Sequence, residues 1–88
     1  MNKASHLNAL VGAALREARI AASTELQLLA FSIGISYQRL QKYEVGKSRI
    51  PATTLRLAAE ALGVPVERFF GDDVVWKLAL ETPPAPRA

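Results

Sequence analysis

The chain has no cysteine and a single histidine, His6, among its 88 residues. Without thiols neither a disulfide framework nor a thiolate metal site can form, and the redox compartment stays open. Aspartate is equally scarce: Asp72 and Asp73 are the only two, adjacent on an expected turn. No nucleophile, base and orienting group can be assembled from such a set, and no metal shell can be filled. Neither an enzyme nor a cofactor or metal is therefore expected. No run approaches the roughly 18 to 20 apolar residues of a membrane span, and the N-terminus lacks a signal-peptide pattern. A cytoplasmic protein with no membrane partner is the resulting expectation. Nor does so short a chain leave room for a second, pocket-forming domain, so no small-molecule ligand is expected.

What the chain does hold is alanine and leucine, which favour helix over strand. Its length suits one small domain, near the low end of what folds alone. The net charge is only +3, but its placement matters more. Arg39, Lys42, Lys47, Arg49 and Arg56 face Glu44 alone between residues 36 and 56, so five cations against one carboxylate leave that segment at +4. A local basic stripe is the footprint of a polyanion partner, or else a solvated face.

Leu7, Leu10, Val11, Ala14, Leu15 and Ala18 recur at helical spacing and predict a first helix over 5–21. Ser23 and Thr24 mark the next start, where Thr24 with Gln27 fits a capping box, and a second helix is expected to run to Ser32. A third covers Tyr37 to Tyr43 and stops at Gly46. Lys47 to Pro51 reads as a loop closed by a proline suited to helix entry. The fourth helix buries Leu55, Ala58, Ala59 and Leu62 before Gly63. A short fifth, Val66 to Phe70, adds Phe69 and Phe70 to the core. Asp72 or Asp73 can cap one more short helix through Glu81, carrying Val74, Val75, Trp76, Leu78 and Leu80. The proline-rich end reads as disordered. The fold class is all-α, with a compact five-helix domain over 5–71, a C-terminal segment over 72–82 and a tail over 83–88.

Residues 29–46 are the most informative stretch. Gly34 suits the left-handed backbone of a sharp helix-to-helix turn, and Ser36 is a good N-cap for the helix that follows. At about 100° per residue, Leu40 and Tyr43 fall on one side of that helix. Tyr37, Gln38, Gln41 and Lys42 fall on the other. An apolar inner face with amides, a phenol and an ammonium outward is what reading a DNA major groove requires.

Several motifs in one order resemble the XRE-type helix-turn-helix family, to which the phage repressors and Cro proteins belong. They are Leu15-Arg16-Glu17-Ala18-Arg19, Leu29-Ala30, Gly34-Ile35-Ser36 and Gln41-Lys42-Tyr43-Glu44-x-Gly46. Ala61-Leu62-Gly63-Val64-Pro65 and Phe69-Phe70 follow, so the likeness runs from Val11 to Phe70. The resemblance implies that Ser36, Tyr37, Gln38 and Arg39 open the recognition helix. It implies that Tyr37, Gln38 and Lys42 touch base edges, and that Lys47, Ser48 and Arg49 run along phosphates. It also implies a buried ion pair between Arg19 and Glu44 that fixes the recognition helix to its scaffold.

The chain departs from the family on the second helix. Leu26 stands where the family carries a glutamine that contacts the DNA backbone, and Leu28 and Phe31 stand at usually polar places. By angle Leu26 can turn inward with Leu29 and Ile33, whereas Leu28 and Phe31 point away. Those two either bury against the N-terminal residues or the final helix, or form a protein-contact patch. The function expected is a sequence-specific regulator of transcription, a repressor acting as a homodimer on a near-palindromic operator in double-stranded DNA. Leu57, Ala61, Val75 and Trp76 are the candidates for the dimer contact. The alternative is an antitoxin or adaptor, whose protein partner would be a toxin or RNA polymerase. Single-stranded RNA is disfavoured, since Tyr37 is the one aromatic expected on the basic face.

Overall fold

A computed structural model describes residues 3–70, with side chains from His6 onward. Four α-helices follow one another: α1 (Lys3–Ala21), α2 (Leu26–Ile33), α3 (Tyr37–Glu44) and α4 (Ala52–Leu62). A single 3-10 turn, Val66–Phe70, closes the described chain. The expected fifth helix is thus not an α-helix. Its bonding runs from i to i+3 rather than i+4, as where Arg68 N–H donates to the Pro65 carbonyl at 3.0 Å. The expected sixth helix, with Val75 and Trp76, and the tail lie outside the described residues.

One core joins all five elements. Val11, Leu15 and Ala18 of α1 meet Leu29, Ala30 and Ile33 of α2, Leu40 and Tyr43 of α3, and Leu55, Ala58 and Ala59 of α4. Phe69 inserts fully from the 3-10 turn, which packs on α1 and α4. Phe70 does not join it and remains partly exposed. Burying a side chain the size of Phe or Leu stabilises by about 1.5–3 kcal/mol. A core made largely of alanine and leucine therefore leans on Phe69, Leu15, Leu29 and Leu40, its largest fully buried members.

The turn between α1 and α2 differs from the capping box expected there. Thr24 N–H bonds the Arg19 carbonyl at 3.1 Å, and Thr24 Oγ1 donates to the Ala22 carbonyl at 3.1 Å. Thr24 is thereby committed to closing α1, and the N-cap of α2 passes to Glu25, whose side chain makes no capping bond. Between α2 and α3 the turn is as the sequence implies. Gly34 sits at φ 80°, and its N–H bonds back to α2. Pro51 serves α4 as N-cap rather than as first helical residue.

Candidate nucleic-acid interface

Helix α3 has only eight residues, too few to hold a helix alone in water, so its neighbours must hold it. Leu40 is wholly buried and Tyr43 nearly so, and both face the core formed by α1 and α2. At the other end Ser36 Oγ accepts the Arg39 N–H at 3.1 Å, satisfying one of the orphan donors of the first turn. The hydroxyl keeps its own proton to donate. Tyr37, Gln38, Arg39, Gln41 and Lys42 are all exposed. Two amides, a phenol and two cations therefore share the outward surface of one short helix.

The C-terminal end of α3 is held by charge. Glu44 is buried, with 4 % of its side chain exposed, and Arg19 retains 13 %. Arg19 Nε donates to Glu44 Oε2 at 2.7 Å and Nη2 to Oε1 at 3.1 Å, a two-pronged pairing. Its Nη1 donates to the Thr24 carbonyl at 2.9 Å. One guanidinium thus ties α1 to the end of α3 and to the turn before α2. The carbonyl of Thr24 had no signal in the sequence, because a backbone acceptor carries no residue type.

Beyond α3 the chain reverses at Gly46, whose φ of 83° suits glycine. Lys47 N–H bonds the Lys42 carbonyl at 3.0 Å, which draws the loop back onto the helix. Lys47 and Arg49 are exposed beside it and Ser48 is half-buried. Since Glu44 is buried and spent on Arg19, no carboxylate of residues 36–50 opposes Arg39, Lys42, Lys47 and Arg49 at the surface. Arg56 is separate: it lies on α4, with Nε 3.4 Å from Glu60 Oε1. An exposed pair of this kind contributes little to stability.

On α2 the surface is apolar. Leu26 is half-buried against the core, as its angle implies. Leu28 and Phe31 are 56 % and 84 % exposed, so no described side chain buries them, and the final helix expected to cover them lies outside the described residues. Glu25 places a carboxylate at the start of α2, where the positive end of the helix dipole favours it. Leu57 and Ala61 are exposed on α4. Among the described residues no group of three or more His, Asp or Glu side chains is placed to hold a metal ion, and no helix is long and apolar enough to cross a membrane.

The helix-turn-helix family profile matches residues 15–69, which holds every element from the second half of α1 to Phe69. An "uncharacterized transcriptional regulator in ATPase CF(0) region" of Rhodospirillum rubrum is 45 % identical over 67 residues, 76 % of this chain and 62 % of that protein. An HTH-type transcriptional regulator of Sinorhizobium medicae is 39 % identical over 62 residues, 70 % of this chain and 45 % of its own length. The chain thus spans about half to three-fifths of these relatives. Among solved structures, the clp gene regulator ClgR of Corynebacterium glutamicum is similar with a TM-score of 0.70 and 30 % identity, over 73 % of this chain and 82 % of that one. The restriction-modification controller protein C.AhdI of Aeromonas hydrophila shares the fold, with a TM-score of 0.66 at 24 % identity over 69 % and 92 % of the two chains. On this match, and on the turn, cap and clamp that hold α3, the chain belongs to the XRE-type helix-turn-helix family of transcriptional regulators.

Proposed function

We propose that this chain binds double-stranded DNA sequence-specifically and regulates transcription, with α3 lying in the major groove. The carrying observation is the division of α3: Leu40 and Tyr43 buried, Tyr37, Gln38, Gln41 and Lys42 outward. Gln38 hydrogen-bonds a base edge, for which adenine N6 and N7 are the geometric match to an amide. Lys42 reaches guanine O6/N7 or a phosphate, and Tyr37 offers its ring to a thymine methyl. Arg39, Lys47, Ser48 and Arg49 contact phosphates and set the register without reading sequence.

One such domain covers too few base pairs for useful specificity. The chain therefore acts as a homodimer, with Leu57 and Ala61 at the contact, on half-sites about 10–10.5 bp apart or a multiple of that. Occupying a promoter in this way blocks it sterically, so repression is the direct outcome. Selection from a random duplex pool tests the reading. A near-palindromic site should emerge, with affinity that falls steeply as salt rises. Recovery of no preferred sequence, or of no salt-sensitive complex, rejects it.

A second reading has its own observation. Phe31 at 84 % exposure with Leu28 beside it is costly apolar surface on a helix whose family places are usually polar. It favours a protein partner, a toxin or RNA polymerase, engaged through α2 while α3 holds DNA.

A further inference from the structure

Gly12 lies in the middle of α1, with fully helical neighbours on both sides. Glycine there weakens the helix relative to alanine, so its presence asks for a tertiary reason. The reason is a close approach. A Cβ on Gly12 would collide with the carbonyl oxygen of Tyr43, and would stand 2.9 Å from the carbonyl oxygen of Glu44 and 3.1 Å from its carbonyl carbon. All three are backbone atoms of the last turn of α3, which cannot swing aside as a side-chain tip can.

The same contact is repeated one turn earlier. A Cβ on Gly46 would lie 2.9 Å from Ala9 Cα and 3.0 Å from Ala9 Cβ. Ala9 and Gly12 are three residues apart and Arg19 follows seven after Gly12, so all three share one face of α1. That face meets the end of α3 and the turn beyond it in two ways, by close packing of Gly12 on the Tyr43 and Glu44 backbone with Ala9 on Gly46, and by the guanidinium on Glu44. Two separated attachments fix a direction as well as a position. Hydrogen bonds to base edges tolerate only about 0.5 Å in length, so a small tilt at one end of so short a helix misplaces Gln38 at the other.

We infer that Gly12, with Ala9 and Gly46, is a positioning element for sequence reading: it sets how far the recognition helix stands from α1, and thereby the base discrimination of side chains it never touches. The inference rests on α3 being the DNA-reading helix. Phosphate contacts from the loop after α3 are more forgiving, because a charge acts over a Debye length of about 10 Å. Disturbing Gly12 therefore separates specificity from affinity.

The test compares wild type with Gly12→Ala, and with Ala9→Val, which presses on the softer turn at Gly46. Each is titrated with the duplex selected from a random pool and with a random-sequence duplex of equal length, across a salt series, at a temperature where circular dichroism shows folded protein. Ala58→Gly, in the core of α4, serves as a destabilised control. The expected result is a fall of about tenfold or more in the ratio of selected to random affinity for the α1 variants. Random-duplex affinity, the salt slope and the control's ratio should stay unchanged. A folded α1 variant that keeps the wild-type ratio overturns the inference. So does a parallel loss on both duplexes, or failure of both variants to fold, either of which makes the contact a folding requirement alone. Should wild type bind no duplex, the reading of α3 itself falls, and the inference with it.

Discussion

At the scale of single residues, exposure sorts the polar side chains of 36–50 into two kinds of work. Gln38 has two donors and an acceptor in one plane, so its contribution depends on which base it meets. Replacing it with alanine should cost roughly 1–3 kcal/mol at one base position and nothing on random DNA. Lys47 carries a mobile point charge in the loop, so Lys47→Ala should weaken binding to every sequence and lower the salt slope by about 1. Fluorescence anisotropy titrations at several salt concentrations check both. Equal loss on selected and random duplexes for Gln38→Ala would remove its base-reading role. Gln38 was legible as outward because angle decides burial on a helix with one anchored face. Arg56 was not legible in the same way. It counted towards the basic stripe, yet in space it belongs to α4 and leans on Glu60.

At the scale of elements, the recognition helix depends on what grips its two ends. Ser36 holds the start and the Arg19–Glu44 pair holds the finish. A pair this buried need not add net stability, but removing one member strands the other. Arg19→Ala should therefore cost about 3–5 kcal/mol in chemical denaturation. Arg19→Met combined with Glu44→Met should cost distinctly less, because no uncompensated carboxylate remains. A double variant as unstable as the single would mean that the charge itself, rather than its stranding, matters. Helix positions and the Gly34 turn could be read from periodicity and from glycine's freedom. The start of α2 could not: Thr24 has the chemistry of a cap, but its place beneath Arg19 gives it to the end of α1.

For the whole molecule, the apolar surfaces exposed on α2 and α4 are the places where other chains attach in the proposed function. Leu57 and Ala61 on α4 are the proposed contact between two copies, and Leu28 with Phe31 on α2 is the surface offered to another protein. The double change Leu28→Glu with Phe31→Lys should leave fold, dimer and operator affinity intact while abolishing retention of a protein partner in pull-downs. Sedimentation, anisotropy and the pull-down together check this. A partner held as before would discard the patch. Sedimentation of a monomer alone, even on selected DNA, would discard the dimer.

Chain order and residue type by themselves determined the four helical stripes, the glycine turn before α3, and which of its side chains face out. These follow from local backbone preference and from a period of about 3.6 residues, both of which act within a few neighbours. Only the tertiary structure decided that Val66–Phe70 closes as a 3-10 turn, that no described side chain covers Phe31, and that Arg19 holds the Thr24 carbonyl. The same is true of Gly12, whose missing side chain lets α1 touch the backbone of α3. Such contacts join positions distant in sequence through distance and direction, and a linear pattern carries neither.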